Sequence, residues 1–242
     1  MRVKRFIHRF TVTILVLAMP FTMSVLFADD KINDGLNVDL NVDLNNSAVV
    51  SEYEVLADLL SRSTYFQALF QQTVRDANGD IIDQSSGRIW LTRPSLLRWD
   101  ILQPLVQTLI VNDQQFFQYD SDIDQLIVEP LSDQLSAMPV LLLSGNAEAI
   151  ASQFIVSEIK AVTAQSANTS ARQLFNLKPK GNDGLFEMLS LEFKHGELQA
   201  ISILDDLQQN SRFEFSAIDA VTPVENSTFI LNPPVETDII YR

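Results

Sequence analysis

The sequence predicts a mainly β domain in which a long antiparallel sheet is accompanied by short helices. From Tyr65 onward, apolar and polar residues alternate with a period of two in short runs separated by turn residues, as in half-buried strands. Helical spacing of apolar residues occurs before Tyr65 and around residues 146–153. With 242 residues, 46% of them apolar, the chain can fill one sizeable core, which favours one large domain over two small ones.

The first predicted helix begins at Ser51. Ser51 and Glu54 form an S-x-x-E capping box, with valines at the two staple positions on either side. The next apolar residues, Val55, Leu56, Leu59 and Leu60, fall on one face at helical spacing. This pattern predicts an amphipathic helix of about three turns that packs on an apolar surface.

Short runs rich in β-formers predict about ten strands, joined by turns such as Asn78-Gly79 and His195-Gly196. The segment 131–152 interrupts the pattern, with a leucine run after Pro139 and with Asn146 in position to cap a short helix. The estimate of about ten strands rests on twelve candidate runs, which are 66–75, 81–92, 96–100, 108–111, 115–119, 125–129, 154–159, 173–178, 185–193, 198–204, 212–218 and 228–231.

An antiparallel sheet of this size twists and tends to curl toward a barrel, because large flat open sheets are uncommon. The predicted helices are amphipathic and few. They either complete an ordinary packed core, which the pattern alone favours, or cover the mouth of the curled sheet and leave an apolar cavity.

The amino terminus has the layout of a secretory signal. Basic residues end at Arg9, uncharged residues run from 10 to 27, and Ala28 precedes two aspartates. We expect cleavage after Ala28, the alternative being an uncleaved anchor. Residues 1–28 are therefore assigned as a signal peptide for export out of the cytoplasm.

The segment 29–50 contains the tandem NVDLNVDLN and lacks aromatic residues, which predicts a disordered acidic leader. Residues 51–242 are expected to form a single domain. The chain has no cysteine, so it can use neither a disulfide nor a thiolate nucleophile, and it cannot itself be lipidated on cysteine.

The formal net charge is −14, and the segment 1–28 is basic, so its removal leaves the rest more acidic still. Such a surface repels nucleic-acid phosphates and anionic lipid headgroups. We therefore expect no nucleic-acid partner, whereas basic patches on partner proteins remain compatible with this charge.

The sequence offers little for catalysis, and we expect neither an enzyme nor a bound metal or cofactor. Of the two histidines, His8 lies in the expected signal, and His195 is expected to be an exposed turn residue. The chain has no G-x-S-x-G elbow and no glycine-rich phosphate loop. Pairs of carboxylates such as Asp205-Asp206 could serve a hydrolase, but such pairs are unspecific in a chain with 31 acidic residues.

The run of Asp120, Asp122 and Asp124 imitates the start of a calcium loop. Gln125 stands where that loop needs glycine, and Leu131 stands where it needs a bidentate glutamate. A solvated hairpin turn is the better interpretation.

An ordered set of motifs resembles the periplasmic outer-membrane-lipoprotein carrier family of the Lol pathway. One of them is GRIWLTRPSLLRWD at Gly87–Asp100, where Arg-Pro separates two strands and the second ends in tryptophan. Further matching segments are Phe66-x-Ala68-x-Phe70-x-Gln72, Val111–Asp120, Met138-Pro139 with its leucine run, Phe175-x-Leu177-x-Pro179-Lys180, and Phe229-x-Leu231-x-Pro233-Pro234. The hairpin at Asp113 lacks the usual Asp-Gly, and Phe117 replaces a usual tryptophan, which affects turn geometry only.

The resemblance implies an incomplete, half-open antiparallel β-barrel covered by a lid of short helices, with a lipid-binding cavity between them. The cavity residues that it implies are Leu60, Phe70, Leu97, Trp99, Leu141, Leu142 and Leu143. It further implies that Arg93 latches the lid by donating to carbonyls around 137–140. Ordinary core packing is the alternative for each cavity residue, and a solvated strand-end arginine is the alternative for Arg93.

By resemblance, the function is to carry lipoproteins from the inner to the outer membrane with their acyl chains shielded. The implied partners are acylated lipoproteins, an inner-membrane ABC-type complex that loads the carrier, and an outer-membrane receptor lipoprotein that unloads it, with the carrier acting as a monomer. The alternatives are a general lipid or glycolipid carrier of the same half-barrel type and, less favoured, a periplasmic hydrolase that uses two carboxylates.

Overall fold

The computed structural model describes residues 51–112, 115–131, 147–160, 172–181 and 186–242. Within these residues lie two α-helices, twelve strands and one 3-10 helix, Asn226–Phe229. The helices are α1 (Glu52–Ser61) and α2 (Ala147–Gln153). The strands are β1 (Tyr65–Arg75), β2 (Ile81–Thr92), β3 (Leu96–Gln103), β4 (Gln107–Asn112), β5 (Gln115–Asp120), β6 (Gln125–Pro130), β7 (Phe154–Lys160), β8 (Arg172–Pro179), β9 (Met188–Lys194), β10 (Glu197–Leu204), β11 (Asn210–Asp219) and β12 (Asp238–Tyr241).

The strands form one open sheet in the order β12-β6-β5-β4-β3-β2-β1-β11-β10-β9-β8-β7. Neighbouring strands are antiparallel, as predicted, except for β12, which pairs in parallel with β6. The expectation of a purely antiparallel sheet of about ten strands is therefore wrong at β12. The fold is mainly β, with one large sheet and few helices.

Helix α1 begins as the sequence predicts. The backbone N–H of Ser51 donates to the Glu54 carboxylate at 3.0 Å, which is one half of the predicted capping box. The predicted apolar stripe is buried at Leu56, Leu59 and Leu60, and it packs on the core together with the partly buried Val55. The helix contacts both α2 and the edge strand β7.

The face of the sheet that meets α1 is apolar, and we call it the inner face. Side chains of a strand alternate between faces, and directly opposed residues of neighbouring strands share a face. Phe70 lies opposite Gly87 and Phe215, and Leu97 lies opposite Leu91 and Val111. Inner-face residues from β1 through β5 and from β7 through β11 form one contiguous core cluster with α1 and Ile150 of α2.

The opposite, outer face carries a crossing segment near the carboxyl terminus. The predicted strand at 228–231 is wrong, because this segment runs over β3 and β4 instead of pairing with a strand, and its 3-10 helix contacts both. Phe229 of this helix is 2% exposed. Arg98 of β3 donates to the Thr228 carbonyl at 3.1 Å and binds the Asp100 carboxylate at 2.9 Å. These contacts hold the chain on the outer face before β12 joins β6.

Across the described residues, no helix has both the length and the apolar character needed to span a membrane.

Candidate functional site

A pocket of about 190 Å³ lies between the end of α1 and the strand ends closest to it. The apolar stripe of α1 reaches the pocket at Leu59 and Leu60, and the pairing of β1 with β2 places Phe66 opposite Leu91. The tight turn at His195-Gly196 places Phe193 opposite Leu198. The apolar wall comprises Leu59, Leu60, Phe66, Leu91, Phe193, Leu198 and Ile218.

The rim of the pocket is polar and carries two arginines. Arg62 forms an ion pair with Asp58 at 2.8 Å on the surface of α1. Arg93 is partly buried at the end of β2, where its guanidinium donates to the Ser63 carbonyl and its backbone N–H donates to the Thr64 carbonyl at 2.9 Å. Burial lowers the pKa of Arg93 to about 10, so its side chain is protonated at neutral pH. A cation thus ties the end of β2 to the connection between α1 and β1.

His195 lies at the rim as an exposed turn residue with φ of 55°, as the sequence predicts. Within the described part of the chain, no group of three or more His, Cys, Asp or Glu side chains is placed to hold a metal ion.

Farther along the inner face, three aromatic side chains form a cluster. The ring centroids of Phe70 and Trp99 are 4.7 Å apart, those of Trp99 and Phe213 are 5.2 Å apart, and those of Phe70 and Phe213 are 6.1 Å apart. The last two pairs are edge-on, an arrangement favoured by the ring quadrupole. This cluster joins β1, β3 and β11 across the inner face.

Comparison with known proteins identifies the family. The family model described as outer membrane lipoprotein carrier protein LolA matches residues 61–232. The chain belongs to the LolA family. The resemblance found in the sequence motifs is thereby confirmed.

Curated relatives of this LolA-family chain carry the name outer-membrane lipoprotein carrier protein. The protein from Hahella chejuensis is 33% identical over 187 residues, which cover 77% of this chain and 87% of the relative. The protein from Chromohalobacter salexigens is 30% identical over 187 residues, which cover 77% of this chain and 85% of the relative. The protein from Pseudomonas aeruginosa is 28% identical over 228 residues, which cover 94% of this chain and 97% of the relative.

Solved structures match with lower similarity. An uncharacterised conserved protein from Thermus thermophilus matches with a TM-score of 0.48 and 13% identity. The match covers 79% of this chain and the whole of the Thermus chain. A LolA superfamily protein from Nitrosomonas europaea matches with a TM-score of 0.42 and 9% identity. The match covers 74% of this chain and 96% of the Nitrosomonas chain.

The site residues suggested by the LolA resemblance fall in two places. Leu60 and Arg93 line the pocket. Phe70, Leu97 and Trp99 are buried on the inner face, where Leu97 and Trp99 share the strand face that their spacing predicts. Leu141, Leu142 and Leu143, and the carbonyls at 137–140, lie outside the described residues.

Several inner-face residues were not singled out in the sequence. Leu91, Phe193 and Leu198 line the pocket, and Phe213 completes the aromatic cluster. Alternation identified their strands but did not show which face turns toward the helix, because that depends on pairing between distant strands. The pair Phe213 and Phe215, spaced by two, was the signal available for β11.

Proposed function

We propose that this LolA-family protein carries lipoproteins between the two membranes of the cell envelope by shielding their acyl chains on its inner face. The single observation that carries the proposal is an apolar pocket between α1 and the sheet, in a chain whose relatives are named lipoprotein carriers. No catalytic activity is part of this proposal.

A half-open barrel covered by helices is the architecture that suits this function. Twelve strands about 4.8 Å apart would span roughly 50 Å if flat, whereas ten residues of helix span about 15 Å. One contiguous cluster nevertheless joins α1 to the inner faces of ten strands, β1 to β5 and β7 to β11. This supports a sheet that curves around its helices, with α1 and α2 as parts of a lid.

Shielding is needed because exposed acyl chains are costly in water. Each buried methylene contributes about 0.8 kcal/mol, so an acyl chain with about a dozen of them costs on the order of 10 kcal/mol to expose. We propose that the chains contact Leu60, Phe70, Leu97 and Trp99, together with the lid leucines 141–143. All seven are apolar, and the first four are buried on or under the inner face.

We propose Arg93 as the latch of the lid. Its contact with the Ser63 carbonyl supports this role, because it joins β2 to the segment that leads out of α1. Arginine suits a latch to carbonyl groups because its planar fork presents several donors at once. The proposed acceptors in the lid itself are the carbonyls at 137–140.

The proposed partners are those that the resemblance to the carrier family implies. By this resemblance, we propose that an inner-membrane ABC-type complex loads the chain, which itself has no nucleotide-binding motif, and that an outer-membrane receptor lipoprotein unloads it. The protein would act as a periplasmic monomer, with residues 1–28 removed as a signal, 29–50 as a leader and 51–242 as the carrier domain.

The decisive experiment is release from spheroplasts. Purified processed protein should bring an acylated lipoprotein from the spheroplast membrane into solution as a complex. The matched control is the same lipoprotein with its acylated cysteine replaced by serine, whose partition should not respond to the carrier. No release of the acylated form would overturn the proposal, and release of phospholipid or glycolipid identified by mass spectrometry would favour a general lipid carrier.

A further inference from the structure

Two polar side chains are buried on the apolar inner face. Gln72 of β1 is 5% exposed and Ser85 of β2 is 7% exposed. They lie directly opposite each other in the β1–β2 pairing, and the Ser85 hydroxyl donates to the Gln72 amide oxygen at 2.7 Å. The pair is thus a built feature of the inner face.

The pair leaves donors unused. A glutamine amide has two N–H donors besides its oxygen, and the oxygen is the atom that Ser85 contacts. Among the described residues, none accepts a hydrogen bond from the amide nitrogen of Gln72. Among the described residues, the fully buried side-chain atoms without a partner belong to Ser51, Thr92 and Gln153, so the Gln72 nitrogen retains some exposure to solvent. An acceptor from water or from a ligand can therefore reach this donor.

The neighbours of Gln72 place its amide beside the aromatic cluster on the inner face of the sheet. It shares the inner face with Phe70, two residues before it on β1, and its opposite neighbour on β11 is Phe213. Both belong to the aromatic cluster with Trp99. Gln72 lies six positions after Phe66 of the pocket on β1, about 20 Å along the strand.

We propose that Gln72, oriented by Ser85, recognises a carbonyl oxygen of the acyl ligand, which is the ester or amide group that links each chain to its head. This rests on the proposed function, since it specifies which part of an acylated ligand the inner face binds. A hydrocarbon chain alone satisfies the apolar residues and leaves the amide nitrogen unpaired. A chain with a carbonyl at this depth satisfies both, so Gln72 selects acyl chains over alkyl chains.

Two matched ligands separate the carbonyl from the hydrocarbon. The probes are a synthetic lipopeptide whose S-glyceryl cysteine carries two ester-linked palmitoyl chains, and the same lipopeptide with ether-linked hexadecyl chains. The usual net free energy of one hydrogen bond predicts about three- to tenfold tighter binding of the ester form to the wild-type protein. Equal affinity for the two would overturn the inference even if both bind well.

The variant Gln72→Met removes the amide at nearly constant side-chain size. We expect it to bind ester and ether lipopeptides equally and to be less stable than the wild type, because the buried Ser85 hydroxyl loses its acceptor. The control is Gln71→Met, the same substitution one residue earlier on the exposed outer side of β1, which should keep the wild-type preference. A retained preference in Gln72→Met would overturn the role of Gln72.

The wild-type comparison alone decides the inference if Gln72→Met does not fold. An independent measurement is the infrared band of an isotope-labelled ester carbonyl, which should lie at lower frequency when bound to wild type than to Gln72→Met; an identical band in both would contradict the hydrogen bond. Failure of the protein to bind either lipopeptide would overturn the proposed function itself and this inference with it.

Discussion

Gly87 permits the close approach of β2 to β3 beneath Phe70, and its replacement by alanine tests how tightly the inner face is assembled. A Cβ added at Gly87 would lie 1.9 Å from the backbone oxygen of Asp100 and 2.8 Å from the Phe70 ring. Real Cβ atoms essentially never approach another atom closer than 3.0 Å. The backbone of β2 or β3 must therefore move by about 1 Å, because the closest atom is a carbonyl oxygen that cannot rotate away.

A shift of that size lengthens ladder hydrogen bonds between β2 and β3 and displaces Phe70 from Trp99. One lost hydrogen bond costs about 1 kcal/mol, and overpacking of a core costs about 1–3 kcal/mol. We expect Gly87→Ala to lower the free energy of unfolding by about 2–4 kcal/mol. For a domain of this size that corresponds to a fall in Tm of about 5–15 °C.

Circular dichroism during heating measures the change, with Gly181→Ala as the matched control. A Cβ at Gly181 meets no atom within 4 Å, and the residue has no left-handed φ, so this variant should melt with the wild type or slightly above it. If Gly87→Ala melts within about 2 °C of Gly181→Ala, the close approach of the two strands is not a constraint on the fold.

Three further outcomes are expected. Arg93→Leu should accept lipoprotein from spheroplasts but pass it slowly to the receptor, with partial rescue by Arg93→Lys; transfer at the wild-type rate would remove Arg93 from the mechanism. Burial lowers the pKa of Arg93 to about 10, so this residue keeps its charge between about pH 6 and 9, and the ratio of the wild-type transfer rate to that of Arg93→Leu should be constant over this range. Above pH 10, the folded protein loses this proton before the unfolded chain does. The contribution of Arg93 to the free energy of unfolding therefore rises with pH. Phe229→Ala should lower stability by about 3–5 kcal/mol in urea titrations and speed hydrogen exchange in β12, whereas unchanged exchange would mean that the outer-face segment does not hold β12 in place.

The parts of the fold that the sequence predicted are those specified by short-range patterns. The capping residues and apolar spacing of α1, and the alternation of β1 to β11, are properties of segments of about ten residues. Turn residues such as Asn78-Gly79 supplied the boundaries, and Gly79 has the positive φ that such a turn requires. Leu60 and Arg93, which the family resemblance assigns to the cavity and its lid, both line one pocket, and their roles there stay predictions.

The parts that it missed depend on contacts between distant residues. Residues 228–231 have β-forming side chains, yet the segment is held as a crossing over the outer face by burial of Phe229 and by Arg98, which lies 130 residues before Thr228. Strand β12 has four residues, and it is fixed by parallel pairing with β6, more than a hundred residues away. No local periodicity of apolar residues predicts either arrangement, because both depend on contacts with the sheet formed by the rest of the chain.

The burial of the proposed lipid-contacting residues bears on how a carrier can release its cargo. Leu60, Phe70 and Leu97 are each 2% exposed, so other side chains of the protein already shield them from water. An acyl chain that inserts among them must displace those contacts, and its binding free energy is the difference between the two sets of contacts rather than the full value of about 0.8 kcal/mol per methylene. On the proposed assignment, these buried residues would therefore bind acyl chains moderately. The proposed receptor, with an apolar surface less shielded by its own side chains, would then withdraw the chains without a nucleotide. The proposed polar contact of Gln72 would add selectivity without adding much affinity.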